Sequence, residues 1–140
     1  MTDAIAALEA RLGHVFQDRA LLERALTHSS HAGENKGAPS NERLEFLGDR
    51  VLGLCMAEWL CELYPNEREG DLGKRIAVLV ARDTLAPIAE RLGVPAALRI
   101  AASHRHAPLR QSATVLGDAL EALLAALFLE AGLGAARDLV

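Results

Sequence analysis

The chain has 140 residues, 51% of them hydrophobic and 24% charged, which fits one compact domain with a single core and leaves little room for extended disorder. Aromatic residues make up only 4%, whereas Ala and Leu abound, so helix is favoured over strand. The formal net charge of −4 runs against a self-sufficient nucleic-acid binder, whose phosphate contacts come from Lys and Arg, unless some carboxylates hold cations and another domain supplies the basic surface.

From the N-terminus, Thr2-Asp3 can cap a first helix whose apolar positions Ile5, Leu8 and Leu12 fall at helical spacing, with Gly13 near its end. The opening residues carry no basic region ahead of an apolar stretch, so they do not read as a secretory signal. A second helix is expected from about Asp18 to Leu26. The following HSSHAGENKGAPS reads as a loop from its Ser, Gly, Asn and Pro content.

Ser40-Asn41 opens a long, mostly buried helix, NERLEFLGDRVLGLCMAEWLCELYP, closed by Pro65. Gly48 and Gly53 inside it each cost roughly 1 kcal/mol relative to Ala, which suggests close packing against another backbone. Cys55 and Cys61 have neither metal-knuckle nor redox-pair spacing and are expected as buried thiols, consistent with a reducing cytoplasm. A polar connection, NEREGD, leads to a helix near Leu72–Ala81, and Asp83-Thr84 can cap the next, ending around Gly93.

Residues 94–111 are the least regular, with Pro and a basic patch at His104, Arg105, His106 and Arg110. From about Ser112 to Glu130 a strongly apolar helix is expected, ending at Gly132, and GAARDLV begins one more. No apolar run reaches the roughly 18 residues that span a bilayer, so no membrane association is expected. The fold class is all-α, a compact helical bundle.

The chemistry lies in the acids. Glu42, Glu45 and Asp49 occupy one helical stripe roughly 60° wide; a solvated face paired with Arg43 and Arg50 would explain them equally well. The C-terminal helix is different: it is apolar nearly all round, hence central, yet carries Asp118 and Glu121 on one face. Buried acids cost several kcal/mol unless paired, protonated or bound to metal. Two pairs from two buried helices can converge as an all-oxygen cation site suited to Mg²⁺ or Mn²⁺ rather than Zn²⁺, or as a salt-bridge network. A di-iron bundle would need Glu-x-x-His pairs, and neither helix supplies one.

The string NERLEFLGDRVL at Asn41–Leu52 resembles the signature of the ribonuclease III family. LTHSS at Leu26–Ser30, EGDL at Glu69–Leu72 and GDALEALLAALFLE at Gly117–Glu130 agree in order and spacing. The resemblance runs from about residue 5 to 135. It implies the family's catalytic domain over residues 1–140, an endonuclease cutting double-stranded RNA with Mg²⁺ or Mn²⁺ and leaving 5′-phosphate and 3′-hydroxyl ends with short 3′ overhangs. It assigns Glu45, Asp49, Asp118 and Glu121 as the catalytic, metal-binding carboxylates, with Glu42 and Glu69 as secondary RNA or metal contacts. It further implies a homodimer with two active sites along one RNA valley and Phe46 at the interface, and a cytoplasmic role in RNA processing without a small-molecule cofactor.

Three positions depart from the family pattern. Gly117 stands where Ala is usual, Ile76 where an arginine is common, and the loop SHRHAPLRQS lacks a glycine pair. His28 is expected as a loop anchor rather than a base, and His104 and His106 as an exposed basic loop or as phosphate contacts. The chain ends before a double-stranded-RNA-binding domain could begin, and its end inside a helix is expected to mark a truncation. Non-cleaving relatives, which bind RNA or ribosomes, differ by loss of one or more of the four carboxylates. A purely structural helical dimerisation domain would need no acids in its buried helices.

Overall fold

The structure, a computed structural model, describes residues 2–34, 40–100 and 109–140. The described residues form helices α1 (Thr2–Leu12), α2 (Arg19–Ala25), α3 (Ser29–Glu34), α4 (Glu42–Leu63), α5 (Glu69–Leu79), α6 (Arg82–Leu92), α7 (Val94–Ala97), α8 (Ala113–Ala131) and α9 (Leu133–Leu139). Among them, the β pairing is an isolated parallel bridge, Thr27 to Arg99. The expected all-α class is what the chain adopts, and no described helix is long and apolar enough to cross a membrane.

Helix α8 is the axle of the domain. The Ser112 side chain accepts from the Val115 N–H at its start, as a cap should. Val115 to Gly117 and every residue from Ala119 to Leu127 are buried, as an all-round apolar helix requires. Helix α4 packs along it most extensively, with α6, α9 and α2 completing the surround. Of the two glycines expected at a close approach, only Gly48 is at one: a Cβ there would overlap the Glu121 carbonyl and lie 3.1 Å from its Cα. Gly53 would meet nothing within 4 Å.

The start of α4 is fixed by a junction of three chain segments. Arg99 N–H donates to Leu26 O (2.8 Å), His28 N–H to Arg99 O (2.9 Å) and Asn41 N–H to Thr27 O (2.8 Å). Asn41 does not cap α4 with its side chain; instead its Nδ2 donates to Ala25 O at 3.1 Å, while its own carbonyl accepts from Glu45 N–H at 2.8 Å. Asn41 is buried, so removing its amide leaves the Ala25 carbonyl short of a partner. Asn41→Ala is expected to cost about 1–3 kcal/mol, read as a lower urea midpoint with an unchanged slope.

Several elements differ from the sequence expectation. Helix α3 falls inside the segment read as loop. Its first turn is held by a local side-chain bond, the Ser30 N–H donating to His28 Nδ1 at 3.0 Å, which also makes His28 the anchor expected of it. Helix α5 starts at Glu69, three residues early, because Glu69 and Asp71 in its first turn complement the helix dipole. Helix α6 starts at Arg82 with Ala81 as its cap residue; Asp83 lies inside the helix, and Thr84 Oγ1 donates back to Val78 O at 2.6 Å. Cys55 is buried as expected, but Cys61 is exposed, being on the outer side of α4. His104, Arg105 and His106 lie outside the described residues.

Candidate metal centre

Helices α4 and α8 approach closely enough at Gly48 and Glu121 to bring their acids together. Glu45, Asp118 and Glu121 each offer a carboxylate oxygen, and these oxygens all lie within 4.8 Å of one another. Glu121 is the deepest, 5% exposed, beside an apolar cleft lined by Leu52, Met56, Leu85 and Leu124. That burial, a hydrogen bond with the Asp49 carboxyl and the Asp49 charge push its pKa to about 8, with Asp118 adding and Arg82 opposing. Glu45 is also raised, first by burial and then by the charge and hydrogen bonding of Asp118, with Arg82 opposing and Glu42 adding. Burial first, and then the neighbouring carboxylates, thus raise both groups, with Arg82 opposing.

Asp49, the fourth predicted carboxylate, is exposed; besides its bond to Glu121 it pairs with Arg50 Nη1 at 2.9 Å. Glu42 is exposed one turn before Glu45 and reaches the cluster through its field. Glu69 is elsewhere. It borders an apolar hollow with Ala57, Cys61, Leu72 and Ile76, and Cys61 is about 24 Å along α4 from Glu45 at 1.5 Å per residue. Phe46 is 64% exposed, with the Arg50 guanidinium stacked 4.2 Å from its ring centroid.

Sequence reasoning missed Arg82. Its Nε and Nη2 donate to Asp118 Oδ1 at 3.1 and 2.8 Å, and Nη2 lies 3.6 Å from Glu45 Oε1. The stem rests on Gly117, where a Cβ would be 3.1 Å from Arg82 Cγ. The Ala-to-Gly departure at position 117 thus makes room for it.

The donor set is all oxygen and closely grouped, which matches what a hard divalent cation requires. Fold and site together define an all-α domain with a carboxylate centre shared by two packed helices. A family model described as ribonuclease-III-like matches residues 18–140. Ribonuclease 3 of Phenylobacterium zucineum is 52% identical over 96% of this chain and 56% of that protein. Ribonuclease 3 of Caulobacter vibrioides is 48% identical over 96% and 58%. The solved nuclease domain of ribonuclease III from Campylobacter jejuni, described for structural flexibility in a region involved in dimer formation, superposes with a TM-score of 0.90 at 38% identity, covering 96% of this chain and 92% of that one. The chain belongs to the ribonuclease III-like family. It spans little more than half the length of the curated relatives it matches. Membership implies a divalent-metal site, and Glu45, Asp118 and Glu121 could hold an ion.

Proposed function

We propose that the chain is the catalytic domain of an endoribonuclease that hydrolyses double-stranded RNA, with Glu45, Asp49, Asp118 and Glu121 as its metal-binding carboxylates and Mg²⁺ or Mn²⁺ as the ion. The observation that carries this reading is the grouping of Glu45, Asp118 and Glu121 oxygens within 4.8 Å in a member of this family. A bound divalent ion would lower the pKa of a coordinated water and offset charge on the leaving oxygen. Ion binding would offset the burial and carboxylate repulsion that raise the pKa of Glu121 and Glu45, and the Glu121–Asp49 hydrogen bond, which needs a proton between the two carboxyls, would give way as Glu121 ionises. Arg50 beside Asp49 and Arg43 on the same helix are available to backbone phosphates. Glu42 would contribute through its charge. The non-cleaving alternative loses support because all four carboxylates are present.

The direct test incubates the chain with a long perfect RNA duplex at low salt, with Mg²⁺, with Ca²⁺ and with EDTA. Cleavage in Mg²⁺ alone, leaving 5′-phosphates, is the expected outcome. Intact duplex in all three, with RNA bound and the protein folded, would transfer the chain to the non-cleaving class.

The domain works as a homodimer in this reading, through the outer face of α4. Phe46 and Leu54, on one side of α4, are among its exposed large apolar side chains, and exposed apolar patches mark association sites. Phe46→Glu is expected to convert a dimer to a monomer at micromolar concentration by sedimentation or light scattering, with helix content unchanged. A variant that stays dimeric would remove Phe46 from the interface.

A further inference from the structure

Arg82 is placed where a basic side chain is otherwise unwelcome. It is the first residue of α6, where the helix dipole disfavours a cation, and its side chain is roughly half exposed, so solvent is open to it. It nevertheless turns onto the carboxylate cluster. Both of its bonds fall on one oxygen, Asp118 Oδ1, and the Glu45 oxygen at 3.6 Å is beyond hydrogen-bonding distance. This is not the fork-to-fork pairing that makes an arginine–carboxylate contact strong. Arg82 is also the basic group that opposes proton uptake by both Glu45 and Glu121.

We propose that Arg82 is an internal counter-cation that competes with the divalent ion for the Asp118 carboxylate, so that loading the ion requires its guanidinium to leave. The idea rests on the reading of Glu45, Asp118 and Glu121 as a divalent-ion site. Arg82 keeps the cluster from self-repulsion when no ion is bound and lowers the site's apparent affinity for one. Its single-oxygen grip and its exposure make the exchange cheap.

The test is calorimetric titration of the chain with Mn²⁺ alone, beside Arg82→Gln and Arg82→Lys, with melting temperatures recorded without metal. Arg82→Gln should bind Mn²⁺ about two- to fivefold more tightly, the range expected for exchanging a half-exposed ion pair, and should melt lower without metal. Arg82→Lys, which keeps the charge, should stay near wild type in affinity. Equal or weaker binding by a folded Arg82→Gln overturns the competition and leaves the ion site standing. Failure of wild type and both variants to bind Mn²⁺ overturns the ion site as well. A wild-type measurement guards against a variant that does not fold. Under Mg²⁺ titration the Arg82 Nε–H resonance should move to the position of a free arginine, and a resonance unmoved at saturation sinks the proposal.

Discussion

Glu121→Gln is expected to slow cleavage of duplex RNA on the order of a hundredfold or more while leaving the metal-free chain folded and, above neutral pH, more stable than wild type. The two effects have one cause. With its pKa pushed to about 8, the Glu121 carboxyl is mostly protonated at pH 7 when no ion is bound, and glutamine closely matches a neutral carboxyl in shape. What glutamine cannot do is ionise and give an anionic oxygen to the site. The sign of the pH dependence follows from the raised pKa: the folded chain holds a proton that the unfolded chain releases near 4.5. That preference contributes stability fully below pH 4.5 and loses it as pH rises toward 8. Urea denaturation at pH 5, 7 and 9 without metal should therefore show wild type losing stability relative to the variant, at about 1.4 kcal/mol per pH unit at most across that window. Parallel pH profiles for the two proteins would mean that Glu121 does not carry the proton. In wild type, ion binding should release protons and strengthen with pH up to about 8.

The acids were legible because they stand out against their helices. Asp118 and Glu121 are anomalies in α8, and helical geometry alone puts Glu45 and Asp49 on one stripe of α4. The fold class followed from the same periodicity, since a helix apolar all round has to be central. What escaped was set by side-chain contacts that no helical periodicity reports. Helix α3 has the composition of a loop and depends on the His28 imidazole for its first turn. Arg82 is 36 residues from Asp118 and belongs to no periodic pattern. A basic residue opening a helix, together with a glycine in place of alanine at 117, was the available signal. Glu69 was assigned by resemblance, and within one chain it remains far from the cluster; a role there would require the second copy.

Gly48→Ala is expected to be among the most damaging single-methyl changes in the domain, costing about 3 kcal/mol or more. Its added carbon would meet the backbone of Glu121, not a flexible side chain, so neither a rotamer change nor a small side-chain shift can relieve it. Helices α4 and α8, the most extensively packed pair, would have to separate. The same separation would pull Glu45 away from Asp118 and Glu121, so whatever fraction folds should bind Mn²⁺ more weakly than wild type. Gly53→Ala is the matched control on the same helix. With nothing within 4 Å of its Cβ, it should gain the helix propensity that glycine forfeits and become more stable by about 0.5–1 kcal/mol. Urea unfolding of the pair separates intrinsic propensity from close approach: opposite signs are required, and a Gly48→Ala within about 1 kcal/mol of wild type would mean that the helices are not held at this distance. Both glycines lower the intrinsic stability of α4, but only Gly48 returns something for it, the contact that sets the two acidic helices at the spacing of their shared site.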